Sequence, residues 1–123
     1  MKTNVQQKLT PALEGLKALE LAGITMIRDY LQFLFDGPVF NAYVLPQITI
    51  GNNTYKSTDF GYYDVLHSLI GHTVSSAYED KIEEKIIVRF ENDMEFSVSL
   101  KEQGKDFLEV AMLYIGEGSE VWS

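Results

Sequence analysis

Leu21-Ala22-Gly23-Ile24-Thr25 recurs as Leu69-Ile70-Gly71-His72-Thr73. Each copy runs through an alternating apolar stretch into a turn that joins phenylalanine to an acid, Phe35-Asp36-Gly37 in the first and Phe90-Glu91-Asn92-Asp93 in the second. Alternation of this kind marks a strand with one buried face. A single β-unit cannot cover its own apolar face, so two copies are expected to pack side by side around one core. The repeat therefore predicts an internal duplication over about residues 21–50 and 69–100, inside one domain covering residues 1–123. A chain of this length buries roughly two thirds of the surface its unfolded form exposes, which leaves no room for a second core.

The expected fold class is α+β: an N-terminal helix, two similar antiparallel β-units sharing one core, and a short helix between them. Thr10-Pro11 followed by Ala12, Leu13, Leu16, Ala18, Leu19 and Leu21 reads as a capped helix that Gly23 ends. Periodicity alone allows that helix to continue to Phe35, but the plainer β pattern of the second copy favours two strands bending near Arg28-Asp29. Asp36-Gly37-Pro38 is a turn, Val39 to Leu45 a strand, and Gln47 to Ile50 a strand that enters a hairpin at Gly51-Asn52-Asn53. Tyr55 to Phe60 returns from that hairpin or crosses as a loop. Tyr62 to Leu69 reads as a short helix. His72 to Tyr78, Ile86 to Phe90 and Met94 to Leu100 are the second set of strands. After a polar loop from Lys101 to Asp106, Leu108 to Ile115 suits a strand or short helix, and a last strand surrounds Val121-Trp122.

Charge separates the halves. Residues 1–61 hold five basic and five acidic side chains, and the remainder holds five basic and thirteen acidic, so the whole net charge of -8 belongs to the second half. Such a surface repels phosphate backbones and disfavours nucleic acid as a partner. It serves either solubility or a basic protein partner. No apolar run approaches the ~20 residues that span a bilayer. The polar amino end lacks the pattern of a secretory signal, and the absence of cysteine fits a reducing compartment, so the expectation is a cytoplasmic protein with no membrane partner.

The common routes to catalysis are missing from the sequence. There is no thiol, and Ser57, Ser68, Ser75 and Ser76 lack the glycines of a nucleophile elbow. His67 and His72 stand five apart, not at the three or four of a helical metal pair, and no phosphate loop or dinucleotide fingerprint occurs. Gly116-Glu117-Gly118 puts an acid where a phosphate would lie. Asp64 and His67, one helical turn apart, are the one acid-base pair to retain. No catalytic, cofactor-binding or metal-binding residue is therefore assigned, and no cofactor is expected.

The conspicuous polar feature is Glu79-Asp80-Lys81-Ile82-Glu83-Glu84-Lys85. Lysines interrupt it and no glycine turn is present, which does not suit a calcium loop. It reads either as a solvated hairpin or as an acidic lip that meets lysines and arginines of a partner. The candidate partner surface is Glu79, Asp80, Glu83, Glu84, Glu91, Asp93 and Glu95. Tyr62 is added because Tyr62 and Tyr63 cannot both face inward on a short helix. Most other aromatics, including Phe33, Phe35, Phe40, Phe60, Phe90 and Phe96, are expected in the core.

Several stretches resemble a group of small bacterial proteins. They are Asp29-Tyr30-Leu31-Gln32-Phe33-Leu34-Phe35-Asp36-Gly37-Pro38, Gly61-Tyr62-Tyr63-Asp64-Val65-Leu66, Leu69-Ile70-Gly71, and Glu109-Val110-Ala111-Met112-Leu113 with Val121-Trp122. Some of that group are similar to the immunity proteins encoded beside toxins of contact-dependent growth inhibition and related polymorphic systems. The resemblance covers most of the chain from Leu21 and departs at Asp106-Phe107-Leu108-Glu109-Val110-Ala111, where the pattern would have Gly-Pro-Glu-Ala. It brings no catalytic residue. It implies a non-enzymatic immunity protein, monomer or homodimer, that neutralises a basic cognate toxin domain, a nuclease, by occluding its active site. The alternatives are a small-ligand binder or enzyme using a cleft between the β-units, and a homodimeric structural protein paired through edge strands.

Overall fold

The computed structural model describes residues 7–8, 11–28, 30–101, 111–115 and 118–122. In chain order the elements are β1 (Gln7–Lys8), α1 (Pro11–Glu14), β2 (Leu21–Ile27), β3 (Tyr30–Phe35), β4 (Val39–Ala42), β5 (Gln47–Ile50) and β6 (Asn53–Tyr55). There follow α2 (Tyr62–His67), β7 (Val74–Asp80), β8 (Lys85–Phe90), β9 (Met94–Ser99), β10 (Ala111–Ile115) and β11 (Gly118–Trp122). The described residues are thus mixed but mostly strand, with two short helices and two antiparallel sheets. One sheet runs β1-β7-β8-β9-β5-β6 and the other β11-β10-β4-β3-β2.

Alternation decides which faces meet. Leu31, Phe33 and Phe35 of β3, Phe40 and Ala42 of β4, and Ala111 and Leu113 of β10 turn inward from the five-stranded sheet. Ile48 of β5, Ile86, Val88 and Phe90 of β8, and Met94, Phe96 and Val98 of β9 turn inward from the other. The faces meet at Phe33 and Phe96, whose rings stack with centroids 4.1 Å apart and planes 7° from parallel. Phe40 and Phe90 lie tilted against Phe96 at 5.8 and 6.0 Å. Each such ring pair contributes about 0.5–1.5 kcal/mol beyond the burial of its area.

The two sheets are built to one plan. In the first, Leu21 pairs with Phe35 and, after a bulge, Gly23 with Leu34; in the second, Val74 pairs with Phe90 and, after a bulge, Ser76 with Arg89. The next strands agree residue for residue: Phe33 with Phe40 answers Val88 with Phe96, and Leu31 with Ala42 answers Ile86 with Val98. The hairpin that ends each half then crosses over. β5–β6 follows β4 but joins β9, while β10–β11 follows β9 but joins β4. Only β1, added outside β7, has no counterpart among the described residues.

The halves are stitched together where they begin. Leu21 N–H donates to His72 O at 3.0 Å and Val74 N–H to Leu19 O at 2.8 Å; Ala18 N–H donates to Val74 O at 2.9 Å and Gly71 N–H to Leu21 O at 2.8 Å. Glu20 and Thr73 form the bridge between these matched pairs. Ala18 and Gly71 take left-handed backbone at φ 73° and 93°.

Several expectations from sequence are corrected. The first helix stops at Glu14, four residues long, and a turn carries the chain to Ala18; Gly23 lies within β2 and ends no helix. The apparent repeat at Leu21 and Leu69 is also out of step. The residue that occupies the place of Leu21 is Val74, and buried Leu69 occupies the place of buried Leu16. β4 stops at Ala42, short of Leu45, and α2 at His67, short of Leu69. The strands bending at Arg28, the turn at Asp36-Gly37-Pro38 and the Gly51 hairpin stand as read. The Thr10 cap, most of the polar loop to Asp106, the start of the segment at Leu108 and the pair Gly116-Glu117 lie outside the described residues.

Candidate functional site

The acidic residues expected to form one surface fall into two groups. Glu79, Asp80, Glu83 and Glu84 gather at the turn from β7 to β8, and Glu91 and Asp93 at the turn from β8 to β9. β8 separates them, and its six residues span about 20 Å at the ordinary rise of a strand.

Within the first group, two members are structural. Asp80 is 2% exposed, and its Oδ1 accepts hydrogen bonds from Ile82 N–H and Glu83 N–H, both at 3.0 Å. A short carboxylate that bonds backbone two and three residues on is the standard way an aspartate shapes a turn. Glu79 is also buried, with its carboxylate 3.6 Å from the Lys81 ammonium. Glu83 and Glu84 are exposed, the latter at φ 54°. Between Asp80 and these two stands Ile82, 53% exposed. In the second group Glu91 and Asp93 are exposed, whereas half-buried Glu95 lies 3.3 Å from Arg89 across the β8–β9 pair.

Tyr62 is the inward member of its pair, and its assignment as an exposed contact is corrected. It is 1% exposed, its hydroxyl donates to Pro46 O at 2.6 Å, and burial pushes its pKa up well beyond the usual tyrosine range. The outward ring is Tyr63, 51% exposed and edge-on to Tyr62. Phe60, expected in the core, is fully exposed just before Gly61, whose φ of 82° turns the chain into α2. Sequence patterning could not separate these aromatics, because the segment from Lys56 to Gly61 has no period to assign a face.

Asp64 and His67 both lie on the exposed side of α2, and no ion pair joins them among the described residues. His72 Nδ1 stands 3.4 Å from Asn92 Nδ2, and its backbone carbonyl takes part in the seam between the halves. No group of three or more histidine, aspartate or glutamate side chains is placed to hold a metal among the described residues. The space between the sheets, where a ligand cleft was one expectation, is filled by Phe33, Phe40 and Phe96.

A cleft does exist, but on the outer face of the six-stranded sheet. It encloses about 440 Å³ between that face and the segment after β6, and is lined by Lys56, Ser57, Lys85, Ser97, Ser99 and Lys101, with Glu83 on its rim. A shallower hollow of about 310 Å³ adjoins it across Glu83 and Lys85 and reaches Tyr78, Ile82 and Arg89. Three lysines far apart in sequence meet here because Lys85 and Ser99 are cross-strand partners and Lys56 follows β6 at the same end of the sheet. Only the strand register brings them together, and local sequence carries no signal of it.

Compared with protein-family models, curated proteins and solved structures, the chain matches none of them.

Proposed function

We propose that this chain is a non-catalytic binding protein of the cytoplasm, acting as an immunity protein that neutralises a basic toxin domain, a nuclease, by covering its active site. The observation that carries the reading is the β7–β8 turn. Asp80 holds the backbone of Ile82 and Glu83, so the turn presents an exposed isoleucine beside two exposed carboxylates at little cost in ordering. An exposed apolar side chain followed by two exposed carboxylates suits a basic protein partner, with the acids steering encounter and the isoleucine slowing release. The net charge of -8 adds to the same steering. The likeness of the two halves in strand register supports reading the chain as an internal duplication whose packing leaves its turns free to vary.

The test co-expresses the chain with the toxin domain encoded beside it and follows growth, then titrates the purified pair for residual toxin activity. Inhibition should saturate near one chain per toxin. Reversing charge at Glu83 and Glu84 should slow association by about tenfold and flatten its dependence on salt. Ile82→Ala should act on dissociation instead. Protection at amounts far below the toxin's, lost in a folded His67→Gln variant, would mean an enzyme and refute the proposal.

A further inference from the structure

We propose that the cleft on the outer face of the six-stranded sheet binds a phosphate-bearing small molecule, held by Lys56, Lys85 and Lys101 and by the hydroxyls of Ser97 and Ser99. The charge of the cleft runs against that of the chain. In a protein of net charge -8, the described residues put three lysines around this cavity with one carboxylate, that of Glu83. Lys85 lies 4.0 Å from Glu83, and neither Lys56 nor Lys101 has an ion-pair partner among the described residues. Ammonium groups gathered around one cavity repel one another unless an anion lies between them.

The other half of the molecule shows that the fold does not require this arrangement. Register places Asn41 where Ser97 stands in the second half, and carrying the same pairing one step further sets Tyr30 and Tyr43 opposite Lys85 and Ser99. There the two rings close on each other at 5.0 Å, and Asn41 Nδ2 donates to the Tyr43 hydroxyl at 3.2 Å. One sheet thus fills the position with aromatic rings, whereas its counterpart opens it and lines it with ammonium and hydroxyl groups.

The chemistry of the lining selects the ligand. Among the described residues of the lining, three lysines against one glutamate leave two positive charges, which match a phosphate dianion. Lysine binds phosphate as a point charge, while the planar fork that suits a carboxylate belongs to arginine, and no arginine is among the described residues that line the cleft. Serine hydroxyls donate to the remaining oxygens. A volume of 440 Å³ holds more than a phosphate, and Val44 and Leu45 give the organic part an apolar wall.

The experiment titrates the full chain, labelled with ¹⁵N, with inorganic phosphate, with glucose 6-phosphate and with acetate, at ionic strength held constant with chloride. Amide shifts should saturate for both phosphates, be confined to residues 44–47, 56–58, 83–85 and 97–101, and reach saturation at lower concentration with the ester. Lys56→Gln and Lys101→Gln alter exposed side chains, and each should weaken binding by about fivefold or more, whereas Lys17→Gln should leave it unchanged. Glu83→Gln, which removes the opposing charge, should tighten it. Shifts that never saturate, that spread over the surface, or that survive both lysine substitutions would overturn the proposal. So would acetate binding as tightly as phosphate, which would make the cleft a carboxylate site. None of these outcomes depends on the immunity reading.

Discussion

Ala18 and Gly71 occupy matched places in the two halves, and exchanging their identities tests whether the match is energetic as well as geometric. Both have left-handed backbone, and each donates its N–H across the seam, to Val74 and Leu21, so neither can relax without breaking a hydrogen bond. An L-residue held there loses about 1–2 kcal/mol to contact between its Cβ and the following carbonyl. Glycine escapes that loss but gives back about 0.4–1 kcal/mol through its greater freedom in the unfolded chain. Ala18 is exposed, so its methyl contributes no packing to offset the difference. Ala18→Gly should therefore stabilise the protein by about 0.5–1 kcal/mol. At Gly71 an added methyl meets no atom within 4 Å, so Gly71→Ala should lose a similar amount from conformation alone. Urea unfolding followed by circular dichroism reads both, with the midpoint rising in one variant, falling in the other and the slope unchanged. For a chain of this size 1 kcal/mol corresponds to about 3–6 °C in Tm. A lower midpoint for Ala18→Gly, or none lost in Gly71→Ala, would refute the reasoning.

Two further expectations concern buried polar groups. Tyr62→Phe removes a hydroxyl that satisfies the buried Pro46 carbonyl, and should lose about 1–3 kcal/mol in urea unfolding. It should also change the response to base. Burial raises the Tyr62 pKa in the folded state, so the stability it provides is whole below the unfolded value near 10 and is lost as pH rises through the folded value. Unfolding between about pH 10 and 11.5 should show a falling stability whose slope is reduced in Tyr62→Phe, with a remainder from Tyr78, whose pKa burial also raises. Asp80→Ala frees two turn N–H groups that water can partly satisfy, and should lose about 1–3 kcal/mol, whereas Asp80→Asn keeps an acceptor oxygen and should lose less. Equal losses for the two Asp80 variants would show that shape, and not the acceptor, holds the turn.

Much of the architecture was legible where alternation is strict. Ile86, Val88 and Phe90, then Met94, Phe96 and Val98, identify two strands and their buried face, and the structure keeps both. The first helix was overdrawn because Leu13, Leu16 and Leu19 hold helical spacing. Leu13 and Leu16 are indeed buried, but hydrogen bonds of turn type, from Leu16 N–H to Leu13 O and from Leu19 N–H to Leu16 O, replace a continued helix. A glycine misled as well. Gly23 sits in a strand beside a bulge, while the left-handed turn that ends the helical segment falls on Ala18, which nothing in the sequence marks. Of the acidic residues, the sequence could show that they cluster but not which of them face inward. Asp80 and Glu79 are drawn into the turn and the strand by the bonds they make there, and only Glu83 and Glu84 remain available beside Ile82.

Packing constrains the two halves alike on one face and leaves them free on the other, and that division explains why architecture showed through the sequence and the cleft did not. Inward positions agree in kind: Leu31 with Ile86, Phe35 with Phe90 and Phe40 with Phe96, while Phe33 stands opposite Val88. These side chains enclose a common core, and replacing any by a polar group would leave it buried without partners, at a loss of several kcal/mol. Positions on the opposite face of each sheet differ in kind between the halves, even where they are buried, as Asp80, Asn41 and Ser97 are. Ile27 stands where Asp80 does, Leu34 where Arg89 does, and Asn41 where Ser97 does. Crossing of the terminal hairpins tightens the contrast, since each sheet is finished by the other half's strands and neither half can cover its inner face alone. A repeat detected by apolar pattern therefore reports the inward residues, which are the ones least concerned with binding. The lysines of the cleft and the isoleucine of the acidic turn lie on the outward side, where the halves differ.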